Sequence, residues 1–481
     1  EARSSGSLSF RVFILVALVL VFCVHCEGDG GAPADAGLPD AAVCVPRHQW
    51  VGVNSSMQLV SKLVDPQFCL SGWTATKAEL DQENAGGLPP LQPDYVNHFA
   101  SVRQLGEHLA ATASALGQAI PTMRLSLSWP CILASAEIRT EFEQAIAKAQ
   151  QAGYQVELTL AHRDSYPVAL HKMPGGLDLP GGWAHPDAVQ SFAQYVQTVL
   201  DMIKGLVPPK TVIYLANEPM SDLFDGYLHK SGKYPPGGKN ASHSLAVALI
   251  NAREAFIAMG RALRAQGFVP AIAPNIRPLK AQEYTPEIQF LDYLYNWWLL
   301  DALVLGCQDD DFDGTCEWYD DPLAVDLVGV TYYGTMQAKS TFVEFGLSGE
   351  PTRPLLDRTI NPENFAPDSG WFSIALEWVQ QRYQERLEAG TLDLVVAEIG
   401  FSDANLTQKI LWLQDYLTVL DEQGIRSLGL HGVFESAEFQ SGQWNFHLVA
   451  RCDPYGAPGP SCELTDWGTA ALDIIALDCA P

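Results

Sequence analysis

From about Gln67 to the C-terminus, short runs of apolar and β-branched residues alternate with longer stretches whose apolar residues recur every three or four positions. The first pattern is that of strands and the second that of amphipathic helices, so their alternation predicts a parallel sheet wrapped by helices. The predicted strands are 68–75, 122–129, 155–161, 211–216, 269–273, 325–331, 392–397 and 427–434, each followed by a helical stretch. Segments such as DLVGV and LDLVVA are almost wholly apolar, as expected for strands buried on both faces. Helical spacing is clearest over 139–151, 245–265 and 406–422. Eight strand-helix units predict a single (β/α)8 barrel, the TIM-barrel form of the α/β class, over residues 46–481. A doubly wound open sheet is the alternative, although no phosphate-cradling glycine motif supports it. The Pro- and Gly-rich stretches 174–182 and 235–238 read as loops after strands three and four, at the end where barrel enzymes build their sites.

The N-terminal residues follow a different pattern. Arg3 and Arg11 precede an uncharged apolar run over 12–24, and the stretch EGDGGAPADAGLPDAA follows. This predicts an export signal over 1–26 and a tether over 27–45. The run is shorter than the roughly 18 residues a membrane-spanning helix needs, so a permanent anchor is the lesser alternative. Cys23 and Cys26 stand where an exported lipoprotein carries its acylated cysteine, but Phe22 and His25 occupy the preceding place where such signals have a small residue. A membrane tether through a lipidated cysteine stays open. The expected location is outside the cell or at its envelope.

Acidic side chains outnumber basic ones 56 to 29, giving a formal charge of -27. A field of that sign repels phosphate backbones, so nucleic acid is not an expected partner. Eight cysteines lie beyond the signal, an even number that suggests disulfides in an exported chain. Cys307 with Cys316 and Cys452 with Cys462 are close enough to pin surface loops; Cys69 with Cys131 and Cys44 with Cys479 are left by elimination. No pair has zinc-ligand spacing.

Two acids directly follow strongly apolar strand patterns, Glu218 in VIYLANEP and Glu398 in LVVAEIG. A lone Glu there is commonly a loop acid satisfied by backbone N–H groups. Two in matched settings, at the ends of strands four and seven, would project into one pocket. A pair of carboxyls, one protonated and one ionised, is what hydrolysis of a glycosidic bond requires. Asn217 adds a neutral donor beside Glu218, and Pro219 stiffens the turn.

The ordered motifs resemble glycoside hydrolase family 1, the β-glucosidase-like barrels with two catalytic Glu. The likeness runs through SGWTATKAELDQEN, YVNHFASVRQLGEHL, RLSLSWPCIL, TLAHRDSYPVAL, GGWAHPDAVQSFAQYVQTVL, ANEP, NWWLLDALVLG, DLVGVTYYG and AEIGFSD. It implies a retaining β-glycosidase in which Glu218 is the acid/base and Glu398 the nucleophile. It further implies that Asn217 holds the sugar 2-hydroxyl, His162 a hydroxyl further round the ring, Arg124 keeps Glu398 ionised and Tyr333 donates to it. A carbohydrate or glycoside substrate is expected, with no cofactor for catalysis. Against each role stands an ordinary one: a core histidine, a structural ion pair, a packed aromatic.

The sequence departs from the family pattern at three places. Arg163 stands where the family has an aromatic, the first-strand motif lacks its sugar-binding Gln with Glu79 the nearest substitute, and the last-strand element reads GVFESAEFQSGQWNF. These elements read the O3, O4 and O6 hydroxyls, so the sugar is left undecided. An endo-acting glycanase of the same clan and a silent carbohydrate-binding barrel are the alternatives. Finally, DDDFDGTCEWYD offers Asp309, Asp311, Asp313 and Asp320 around Gly314, the positional chemistry of a structural calcium loop stapled by Cys307 and Cys316; an acidic solvated loop is the alternative.

Overall fold

Four of the eight barrel strands are nearly continuous apolar runs, and in the computed structural model all eight are parallel and closed into a barrel. They are β1 (Gln49–Asn54), β2 (Thr122–Ser126), β3 (Gln155–His162), β4 (Val212–Asn217), β5 (Val269–Ala273), β6 (Leu327–Tyr332), β7 (Asp393–Ile399) and β8 (Ser427–His431). Each lies beside its neighbours in sequence, and β1 pairs with both β2 and β8. The structure describes residues 48–54, 75, 79 and 120–477, apart from 163–165, 177–178, 233, 282, 319–323, 349–351, 361–367, 402–404, 432–436, 439–441, 444–448 and 454–460. The predicted export signal and tether lie outside the described residues. The barrel belongs to the compact unit Pro46–Pro481. Among the described residues, no helix is long and apolar enough to cross a membrane.

Strands two to eight stand where the hydrophobic pattern placed them. The first does not: β1 is Gln49–Asn54, while Ala75, the end of the run expected as strand one, is helical. QWVGVN has a short apolar stretch between polar ends and is weak as an isolated signal. Its place is fixed by pairing on both sides, Val51 with Thr122 and Gln49 with Ser427.

Local chemistry sets the helix ends. Helix Ala136–Gln151 starts three residues earlier than its apolar spacing predicts because the Ser135 side chain accepts from the Ile138 N–H. Helix Leu406–Gln423 is capped by Asn405, which accepts from Thr407 and Gln408, and is ended by Gly424 at φ +70°.

The core has two layers. Between barrel and helices lies a large apolar cluster in which Trp129, Trp183, Phe192, Tyr195 and Phe256 pack ring against ring. A smaller cluster of Tyr214, Ala271, Ala273, Leu327 and Ala397 stands apart from it, on strands β4 to β7. Gly329 is required in this smaller layer, since a Cβ there would meet Ala397 Cβ at 2.5 Å and Tyr214 Cε1 at 2.9 Å. The space is taken by the Tyr214 ring, over which the Arg124 guanidinium sits at 4.9 Å.

An antiparallel hairpin, Met336–Phe345 with Arg353–Ile360, follows β6. Cys307 and Cys316 form the expected disulfide. Cys452 faces Cys462 in register across the strands Val449–Asp453 and Ser461–Leu464. Cys131 is disulfide-bonded, while its expected partner Cys69 lies outside the described residues, as do Cys44 and Cys479.

Candidate active site

At the end of β4 the chain turns from strand to helix within one residue. That residue is Glu218, in the left-handed region at φ 47° and ψ 44°, with Pro219 opening the helix Pro219–Leu228. A non-glycine residue there costs about 1 kcal/mol or more and is held by its surroundings. The Glu218 N–H donates to the Ala273 carbonyl at 2.7 Å, and the Asp222 N–H donates to the Glu218 carbonyl at 3.2 Å. The carboxylate, 6 % exposed, accepts from Asn275 Nδ2 at 2.9 Å and from Thr331 Oγ1 at 3.1 Å.

Glu398 reaches the same end of the barrel through an irregularity in β7, whose register against β6 slips between Val396 and Glu398. It is 3 % exposed, and both carboxylate oxygens are engaged. Arg124 Nη2 donates to Oε2 at 2.6 Å and Tyr333 Oη donates to Oε1 at 2.6 Å. A guanidinium at that distance favours the ionised carboxylate.

Arg124 links this acid to the rest of the network. Its Nη2 also donates to Asn217 Oδ1 at 2.9 Å, which fixes the amide orientation. Asn217 Nδ2 then faces His162 Nε2 at 3.3 Å as a donor, so Nε2 is the acceptor and the imidazole proton belongs on Nδ1, toward Ser126 Oγ at 2.8 Å. A cleft beside His162 and Asn217 is walled by Trp129, Tyr166 and Trp183. The interior carries one more acid: Glu157 on β3 stands in register with Arg124 on β2. Burial pushes its carboxyl up to about 7, with Arg124 pulling in the opposite direction.

The structure therefore joins Arg124, His162, Asn217, Tyr333 and Glu398 by hydrogen bonds, and places Glu218 directly after Asn217 at the end of β4, held by Asn275 and Thr331. Sequence reasoning missed Asn275, Thr331 and Ser126. Asn275 and Thr331 stand just after β5 and within β6, a polar residue at the end of an apolar strand being the signal that would have found them. Glu79, the substitute expected for the missing Gln, is instead paired with His171 Nε2 at 3.3 Å and Lys172 Nζ at 2.9 Å, in the segment after β3. Arg163 lies outside the described residues.

The acidic loop is a separate feature. Carboxylate oxygens of Asp309, Asp311 and Asp313 lie within 4.8 Å of one another, a donor set that suits a hard cation. The same oxygens also shape the loop: Asp309 accepts from the Asp313 and Gly314 N–H groups and from Tyr293 Oη, each at 2.8 Å. Asp320 lies outside the described residues.

The model of Glycosyl hydrolase family 1 matches residues 113–271, which hold Arg124, His162, Asn217 and Glu218. The β-glycosidase of Thermosphaera aggregans superposes with a TM-score of 0.67 at 17 % identity, over 91 % of this chain and 98 % of that one. The psychrophilic β-glucosidase of Micrococcus antarcticus gives 0.66 at 17 %, over 90 % and 97 %. The β-glucosidase of Thermotoga maritima gives 0.63 at 16 %, over 91 % and 100 %. No curated protein matches the sequence. At such identities the superpositions speak for the fold, and the resemblance to Glycosyl hydrolase family 1 is carried by residues 113–271, from β2 into β5.

Proposed function

We propose that the protein hydrolyses β-linked glycosides with retention of configuration, Glu398 acting as nucleophile and Glu218 as acid/base. The observation that carries this is the unequal company of two buried carboxyls. Glu398 is held by a guanidinium and a phenol, and Glu218 by a carboxamide and a hydroxyl, both neutral. The first arrangement suits a carboxylate that must be an anion when it attacks; the second leaves a carboxyl that can give up and regain a proton.

In the first step Glu398 attacks the anomeric carbon, the bond to the leaving oxygen breaks, and that oxygen takes the proton of Glu218. In the second step Glu218 removes a proton from water, the water oxygen bonds to the anomeric carbon, and Glu398 leaves as a carboxylate. Asn217 and His162, already oriented by Arg124 and Ser126, hold sugar hydroxyls. These steps use side chains of the chain itself. The names of the superposed structures, β-glycosidase and β-glucosidase, support the β-anomer without choosing the sugar. Export to an oxidising compartment belongs to the same proposal, supported by the Cys307–Cys316 bridge and by a disulfide at Cys131.

The test is hydrolysis of a panel of nitrophenyl β-glycosides by wild type and Glu398→Ala, with the first-formed anomer followed by NMR. The expected result is a β-product from wild type and a loss of about 10⁴-fold or more in the variant. An α-product, or a variant that keeps near wild-type turnover, would overturn the assignment.

A further inference from the structure

Arg277 stands in the segment after β5, two residues beyond Asn275, and is 5 % exposed. Its backbone is clamped by one side chain: the N–H donates to Asn296 Oδ1 at 2.9 Å, and the carbonyl accepts from Asn296 Nδ2 at 3.1 Å. Asn296 belongs to the π-helical turn Tyr293–Trp297, a distortion that is frequent at functional sites. The fold thus anchors Arg277 with some care. Two of its guanidinium nitrogens, Nε and Nη1, are nevertheless buried and make no hydrogen bond.

The same holds for the phenol of Tyr332, whose Oη is buried without a hydrogen-bond partner. Tyr332 lies on β6 between Thr331, which touches Glu218, and Tyr333, which touches Glu398. Burial first, then Tyr416 and Asp368, push its phenol far above the ordinary range, while the charge of Arg277 acts in the other direction. The phenol therefore stays a donor, and the segment that carries Arg277 runs alongside the chain that carries Tyr332, Asn275 bridging to Thr331 and Leu279 to Met336. Asp368 is already engaged: it accepts from the Trp371 N–H at 3.2 Å and pairs with Lys280 Nζ at 3.5 Å.

A guanidinium that is always charged, anchored through its backbone, buried and beside a buried phenol, presents donors with no acceptor. We propose that Arg277 and Tyr332 form a binding site for an oxyanion, behind the strand ends that carry the two carboxylates. The fork of the guanidinium takes two oxygens and the phenol a third, a match for a carboxylate, sulfate or phosphate group. The anion is either free in solution or a substituent of an acidic glycoside. The second source rests on the glycoside hydrolase reading above; the first does not.

The experiment has two arms, both with the full chain at an ionic strength held constant with sodium chloride. In the first, calorimetry follows titration with sodium phosphate and with sodium sulfate. In the second, kcat/KM is compared for nitrophenyl β-glucuronide and nitrophenyl β-glucoside. Wild type is expected to bind an oxyanion saturably in the first arm or to favour the acidic glycoside in the second. Arg277→Met is expected to weaken that response about 10-fold or more. Tyr332→Phe, which keeps the ring, is expected to weaken it about 3- to 10-fold. Arg277→Lys keeps the charge without the fork and serves if the Met variant does not fold.

Binding confined to the first arm identifies a free anion, and a selective loss for the glucuronide identifies the substrate. If neither arm shows an oxyanion held more tightly by wild type than by the Arg277 variants, the site is filled by water alone and the proposal fails. A protein that cleaves no glycoside still gives an answer in the calorimetric arm, which separates this failure from that of the catalytic reading.

Discussion

Glu218 and Glu398 are chemically identical, and what separates them is the charge of their neighbours. Among the described residues Arg124 is a charged donor to Glu398, whereas the donors to Glu218, Asn275 and Thr331, are neutral. Removing it in Arg124→Met takes away the charge that favours ionisation, so Glu398 should hold its proton more tightly. The acidic limb of the kcat/KM profile should then move to higher pH, with activity at its optimum down about 10²- to 10³-fold. An unmoved limb would show that Arg124 does not set the ionisation of Glu398. For Glu218→Ala the expected loss depends on the leaving group. Poor leaving groups should slow by about 10²- to 10⁴-fold and dinitrophenyl glycosides far less, since the latter depart without a proton. Added azide should restore turnover and yield a glycosyl azide of retained configuration.

At the scale of elements, the site depends on two local departures from regular strands. One is the left-handed turn at Glu218, which converts β4 into a helix and aims the acid inward. The other is the register slip in β7 before Glu398. The neighbouring packing leaves little slack, because Gly329 on β6 lies against Ala397, the residue before Glu398, and against the Tyr214 ring beneath Arg124. Gly329→Ala should therefore cost about 1–3 kcal/mol of stability and lower kcat as well, since relief of the clash pushes on β7 or on Tyr214. Thermal unfolding and steady-state kinetics on the same preparation check this; a variant with wild-type stability would mean that the strands yield more freely than close packing allows.

At the scale of the whole molecule, the barrel encloses an acid that no step of the mechanism uses. Glu157 rises from an ordinary value of 4.5 to about 7, by burial first and against the pull of Arg124. The folded protein thus binds this proton more tightly than the unfolded chain does. The resulting stability is fully present below about 4.5 and is lost as the pH rises through about 7. Glu157→Gln removes the titration while keeping the shape. Its stability relative to wild type should increase between those limits by about 1–2 kcal/mol, a range lowered because part of the Glu157 surface remains accessible. Unfolding in urea at a series of pH values measures it; a constant difference between the two proteins would place the titration elsewhere.

Seven of the eight strands were legible in the chain, as were the six side chains, Arg124, His162, Asn217, Glu218, Tyr333 and Glu398, that stand at or near the strand ends. Burial on both faces writes itself as an apolar run, and the motifs around RLSLSW, AHRD, ANEP and AEIG carry the side chains at the strand ends. The first strand was not legible, because QWVGVN is too short to announce itself and gains its place from pairing with β2 and β8. Nor were the neutral donors on Glu218, the slip in β7 or the two unmatched guanidinium nitrogens of Arg277. The sequence by itself determined the alternation of elements and the kinds of side chain at the strand ends, since these depend on residues near one another in the chain. Which acid meets the charge was decided by the tertiary structure, for Arg124 and Glu398 stand 274 residues apart and touch through closure of the barrel.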